Sequence, residues 1–209
     1  MKKRSFSILN FRDWIGQLYR RTVSRSANVN SMEVAHVLKT VPLFSGFGWR
    51  ELLKFADALH VRRYQKDEYL YRERDPGLGM YIVQSGRIRL LVEDEEGGLH
   101  EVKQVSEFEL LGESALLGEY RRMESAQAVT ETIVLGFFRP ELKSMIKRDP
   151  KTAALLLFAL AEHVSEHFVQ LSSYLMEKDG KMVARRIIDT SKSRVVGFQD
   201  SSPSFIVRS

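Results

Sequence analysis

The sequence contains no cysteine. That excludes a disulfide framework, thiolate metal sites and cysteine nucleophiles, and it suits a reducing cytoplasm. No apolar run approaches the roughly 20 residues a membrane-spanning helix requires, and FSILNF near the start is too short and interrupted for a secretory segment. A cytoplasmic chain, at most peripheral to a membrane, is expected. Phosphate-binding loops, nucleophile elbows and dinucleotide fingerprints are absent, and GLG and GFG read only as turn glycines. The nearest approach to a catalytic motif is His163-Val-Ser-Glu166-His167, which matches the H-x-x-E-H pattern of certain zinc proteases. Such a site needs a third protein ligand, and no partnered motif follows downstream. A helix-surface role is simpler, so the sequence predicts no enzyme, no metal and no resident cofactor.

What is present is 209 residues with 44% hydrophobic content, enough for one sizeable core with appendages. The net charge of +5 is unevenly placed. Residues 1–26 carry Lys2, Lys3, Arg4, Arg12, Arg20, Arg21 and Arg25 against Asp13 alone, a local excess of +6 that leaves −1 for the remainder. The folded body therefore has no positive excess to draw it to nucleic acid.

Ile8, Phe11, Ile15 and Leu18 fall at helical spacing in that basic arm. They describe an amphipathic helix suited to an anionic membrane surface, or to packing on its own domain or a dimer partner. Residues 1–31 are read as arm and linker, residues 32–148 as the main domain, residues 149–190 as a long helix with a short one following, and residues 191–209 as a tail. Between Met32 and Leu59 the pattern is helical, broken by Pro42, Gly46 and Gly48, with Leu52, Phe55, Ala56 and Leu59 on one apolar face. The period then becomes two. Ile88, Leu90 and Val92 share a face opposite Arg87 and Arg89, and EDEEGGLH supplies a turn. Further strands fit HVRRYQKDEYLYRE and SAQAVTETIVLGFF. Many short strands separated by turns indicate an antiparallel sandwich or barrel.

A helix starts near Pro140, and a long one runs from about Pro150 to Lys178. In the latter, Leu157, Ala161, Val164, Phe168, Leu171 and Leu175 form a heptad seam, with Leu156, Phe158 and Leu160 left for a second face. Homodimerisation through this helix is the economical reading; burial within one chain is the alternative.

The segment LLGESALLGEYRRMESA, residues 110–126, holds the candidate site. A strand ending at Leu111, then Gly112 and a short helix, aims free amides at one point, where a phosphate is favoured. Glu113 is placed to accept a hydrogen bond from a sugar hydroxyl, and Arg122 to return and grip the anion. The competing reading has Glu113 merely stabilising a helix start and Arg122 in solvent.

Three segments, LKTVPLFSGFGWRELLKFADAL, YQKDEYLYRERDPGLGMYIVQSGRIRLL and ELLGESALLGEYRRMESAQAVTETIVLGFFRPELKSMIKRDP, resemble the cyclic nucleotide-binding domain family, the ligand module of the catabolite activator protein and of kinase regulatory subunits. The resemblance implies a mainly β fold, an eight-stranded antiparallel jelly-roll barrel with N-terminal helices and a long C-terminal dimerisation-type helix. It implies cyclic AMP or cyclic GMP as ligand. Gly112, Ser114, Ala115 and their neighbours would line the phosphate, Glu113 would hold the ribose 2′-hydroxyl and Arg122 would pair with the phosphate, with Met123 beside it. The long helix would cover the base around His167 and Phe168.

The sequence departs from the family pattern at Met123 and Glu124, where small residues are usual, and at Asp67, Arg74 and Phe108, where glycine is usual, so reshaped turns are expected there. After KMVARRIIDTS the tail is too short for a winged helix-turn-helix, and direct DNA binding is not expected. Two functions remain: a cyclic nucleotide sensor module acting on a downstream protein, or a dimeric scaffold of the same fold that has lost the nucleotide.

Overall fold

A computed structural model describes residues 30–190. The arm before them and the tail from residue 191 lie outside the described residues, as does the membrane-surface reading of the arm.

Helix α1 (Ser31–Thr40) starts where the Asn30 side chain accepts from the Met32 amide, and buries Val34, Ala35 and Leu38. Pro42 opens a 3₁₀ turn, Pro42–Phe44, and α2 (Trp49–Ala56) follows, burying Leu52, Phe55 and Ala56. Leu52, Phe55 and Ala56 match the expected helical face, whereas Leu59 follows the end of the helix and packs half-buried against the same core. Eight strands then form two four-stranded sheets: β1 (His60–Tyr64), β2 (Tyr69–Tyr71), β3 (Gly79–Ser85), β4 (Ile88–Glu93), β5 (Leu99–Val105), β6 (Leu110–Leu111), β7 (Ser125–Ala128) and β8 (Thr132–Phe138). One sheet runs β1-β8-β3-β6, the other β2-β7-β4-β5, and all named pairs are antiparallel. This is the expected jelly roll. Helix α3 (Ser114–Leu117) lies between β6 and β7, while α4 (Arg139–Arg148), α5 (Pro150–Asp179) and α6 (Lys181–Thr190) close the chain.

Strands β3 and β8 are buried on both faces because two cores share them. Met80, Ile82, Leu135 and Phe137 point to the helices, with Leu38, Phe44, Phe55, Leu142, Leu156 and Leu160. Their alternates Tyr81, Val83, Val134 and Phe138 point into the barrel, with Tyr71, Ile88, Val105, Leu111 and Ala126. Strand β4 keeps Ile88 and Leu90 on the predicted face, Ile88 buried in the barrel core and Leu90 half-buried against it, while Val92 is half-buried and Leu91, on the alternate side, is buried as well. Pairing with β5 passes from Leu90↔Lys103 to Leu91↔Glu101, so Val102 of β5 is the extra residue of a bulge.

The turns at Asp67, Arg74 and Phe108 put a non-glycine residue in the backbone region that glycine favours. Each residue adopts the left-handed conformation, with φ of 66°, 66° and 68°. Surrounding hydrogen bonds hold them there: the Asp67 amide donates to Ala128, the Arg74 amide to Arg122 and the Phe108 amide to Val83.

Helix α5 begins at Asp149, whose carboxylate accepts from the Thr152 amide and hydroxyl, and Pro150 occupies the first turn. Thirty residues make it about 45 Å long. Thr152, Ala153, Leu156 and Leu160 dock on the barrel end. Phe158 does not join that face: it sits on the opposite side of the helix, 65% exposed. Along the seam, Leu157, Val164 and Leu175 are half-buried, and Ala161, Phe168 and Leu171 are exposed.

Candidate functional site

Leu111 ends β6, and Gly112 turns the chain with φ 73° into the single turn of α3. Two requirements meet at this glycine. A side chain there would be strained by the positive φ, and its Cβ would collide with Nη1 of Arg122. Among the described residues no hydrogen bond engages the amide N–H of Glu113 or Ser114, whereas the Ala115 amide donates to the Gly112 carbonyl at 3.2 Å. Two unfilled donors thus flank the turn.

Arg122 is buried, 6% exposed, not solvated. Its Nη1 donates to the Gly112 carbonyl at 3.1 Å and its Nη2 to the Gly79 carbonyl at 2.6 Å, while Nε is buried without a partner. The guanidinium carbon lies 4.0 Å from the Tyr71 ring centroid and 5.9 Å from that of Tyr81. Among the described residues no carboxylate lies within ion-pair distance of it. A buried cation held only by carbonyls, ring faces and a frame of tyrosines is costly, because desolvation of a guanidinium is recovered in full only by an anion. Burial also pushes the Tyr71 and Tyr81 hydroxyls well above the ordinary tyrosine range, so no phenolate arises to neutralise it.

A cavity of about 400 Å³ opens in front of this turn, within the size range of small-ligand sites. Gly112, Glu113, Ser114 and His167 line it, together with His163 from α5 and Leu90, Val105 and Phe108 from the barrel. Arg122 lies behind the Gly112 wall. Among the other residues proposed from sequence, Ala115 is buried beneath the turn, Met123 is 81% exposed and Phe168 is 54% exposed, and none of the three lines the cavity. The helical register explains Phe168: it follows His167, whose side chain takes the cavity-facing side.

Sequence reasoning left the position of Glu124 open, since the local spacing does not reveal which way it points. Its carboxylate accepts from the Tyr71 hydroxyl at 3.0 Å, and its side chain lines the cavity with Glu109 and Glu113. Lys103 is the one Lys or Arg among the lining residues. On the opposite wall the rings of His163 and His167 lie 4.3 Å apart. Burial holds the His163 imidazole below its ordinary pKa, with His167 and Lys103 adding to that effect and Glu113 and Glu166 opposing it.

Comparison with known proteins agrees with this geometry. The family model described as cyclic nucleotide-binding domain matches residues 61–149. The chain is 30% identical over 151 residues to the cyclic AMP receptor protein of Thermus thermophilus, covering 72% of this chain and 70% of that protein. It is 32% identical over 128 residues to a cAMP-dependent protein kinase regulatory subunit of Emericella nidulans, covering 61% of this chain but only 30% of the relative. The crystal structure of the Thermus thermophilus catabolite activator protein superposes with a TM-score of 0.55 at 31% identity, over 65% of this chain and 64% of that one. A cyclic nucleotide-binding domain from Methylobacillus flagellatus, 19% identical, shares the fold with a TM-score of 0.61 over 71% of this chain and 83% of that one. With its eight-stranded jelly roll, its glycine turn and these relatives, the chain belongs to the cyclic nucleotide-binding domain family.

Proposed function

We propose that the chain is a non-catalytic regulatory module that takes a cyclic nucleotide, cyclic AMP or cyclic GMP, into the cavity in front of Gly112. The observation that carries this reading is Arg122, a buried guanidinium with no carboxylate partner, set behind a turn whose Glu113 and Ser114 amides are unengaged. An anionic phosphate entering there takes over from the Gly112 carbonyl as partner of Nη1. Glu113 is the acceptor for a ribose hydroxyl, and His167, on α5, is the group that meets the base. Because α5 both walls the cavity and docks on the barrel, occupancy biases the position of the C-terminal helices, which is the change a downstream protein would sense. Titration calorimetry with cyclic AMP and cyclic GMP tests the reading: micromolar binding that Arg122→Ala abolishes supports it.

A specific observation favours a second reading, a nucleotide-free scaffold of the same fold. Glu109, Glu113 and Glu124 outnumber Lys103 on the cavity wall, and Glu124 occupies the side nearest Tyr71. Calorimetric silence with both nucleotides, in the parent and in Arg122→Ala alike, selects the scaffold.

Both readings use α5 for self-association. Phe158, Phe168, Leu171 and Tyr174 are all more than half exposed on a helix whose apolar seam repeats every seven residues, and a second copy of the same helix is its natural cover. Sedimentation velocity checks this: the parent should sediment as a dimer and Phe168→Glu with Leu171→Glu as a monomer. A monomeric parent would refute it.

A further inference from the structure

We propose that Glu113, His163 and His167 form a binding site for a divalent transition metal of the zinc type on the cavity wall. One carboxylate oxygen and one nitrogen from each imidazole lie within 4.8 Å of one another. The two histidines are one turn apart on α5, which places their rings side by side. Glu113 comes from the other side of the cavity, immediately before α3. A zinc ion bonded at ordinary lengths needs its donors about 3.3 Å apart, so the three must draw together by up to about 1.5 Å. Exposed His167 has the rotamer freedom to do so, while Glu113 and His163 are half-buried and already converge.

The donor set selects the ion. Two imidazoles and one carboxylate suit zinc, cobalt or ferrous iron, whereas magnesium and calcium prefer oxygen alone. Three protein ligands leave a fourth position facing the cavity, where water or an anionic group completes the shell. The ion also offsets the carboxylates of Glu109 and Glu124, which line the same cavity. Glu166, although within the H-x-x-E-H pattern, is not one of the three converging residues; the third partner lies 50 residues upstream of His163, where spacing within the helix could not reveal it.

The site does not depend on the nucleotide reading, and it draws on Glu113, which that reading assigns to a ribose hydroxyl. The test therefore uses metal alone. Full-length protein stripped with chelator is titrated with Co²⁺, read by its visible absorption, and with Zn²⁺, read by calorimetry, at neutral pH without nucleotide. The expected result is one equivalent bound with a low-coordinate cobalt spectrum, weakened at least about tenfold in Glu113→Gln, His163→Gln and His167→Gln. Glu166→Gln and His100→Gln, the latter removing the histidine beside Asp94, should bind as the parent does. Circular dichroism confirms that each variant is folded. Failure of the parent to saturate at about 100 μM metal, about 5.5 kcal/mol of binding, would overturn the proposal. So would retention of full affinity in the three ligand variants.

Discussion

Removing one negative charge at Glu124 should convert the cavity into a much better anion receptor. The Tyr71 hydroxyl sits 3.0 Å from this carboxylate, and the Tyr71 ring carries the Arg122 guanidinium 4.0 Å from its centroid. Carboxylate and guanidinium are thus separated by little more than one tyrosine ring, and a phosphate meeting Arg122 lies about 6 Å from Glu124. At an effective dielectric near 20, two like charges at that separation repel by about 3 kcal/mol, roughly a hundredfold in affinity. Glu124 is half-buried, so water screens part of this, and a gain of about 10- to 100-fold is the expectation. Glu124→Gln is the right change because its carbonyl still accepts from Tyr71, leaving the wall intact. Calorimetric titration with cyclic AMP and cyclic GMP at physiological salt reads the result, and the gain should grow at low salt. Affinity within about threefold of the parent, with unchanged thermal stability, would show that no phosphate sits near this carboxylate and would refute the placement.

Two further predictions concern the barrel and the long helix. Arg74 holds φ 66° with an 86% exposed side chain whose nearest acid, Glu73, is 3.9 Å away, so Arg74→Gly relieves left-handed strain while losing little. After the added freedom of glycine in the unfolded chain, a net stabilisation of about 0.5–1 kcal/mol is expected in urea denaturation; a loss of stability would contradict it. His163 should titrate below its ordinary value of 6.5 in an NMR pH series, since burial and the neighbouring His167 disfavour its charged form. The linked stability is full above 6.5 and declines as pH falls through that value toward the lowered one. In His167→Gln the His163 titration should move back up, and a parent value at or above 6.5 would count against the described packing.

The sequence reveals the architecture because its signals are local. Period-two strands, the Pro150 helix start and the apolar face at Leu52, Phe55 and Ala56 each follow from residues close in the chain. The bulge at Val102 of β5, opposite Leu90 and Leu91, is invisible to such reasoning, since the pairing of the two strands, not composition, decides where the extra residue goes. The left-handed residues are likewise beyond local reasoning: hydrogen bonds to Ala128, Arg122 and Val83, all distant in the chain, hold one strained φ each.

At the site, the family resemblance implies that Gly112, Glu113 and Arg122 belong together, and the structure brings them to one turn. It cannot show that Arg122 packs behind the wall on Tyr71 rather than projecting into the cavity, because that depends on Tyr71 and Gly79 from distant strands. Nor can it place Glu124 beside Tyr71, or bring Glu113 to the histidine pair of α5, because both are contacts of the closed barrel.

The claim on which the account rests is that Arg122 and the Glu113 and Ser114 amides are the anion receptor. Amide and guanidinium NMR spectra recorded during a cyclic nucleotide titration observe these groups directly. The account predicts the largest shifts at the Glu113 and Ser114 N–H signals and at Arg122 Nε–H, saturating together. Saturable binding that leaves those three signals unmoved would contradict it.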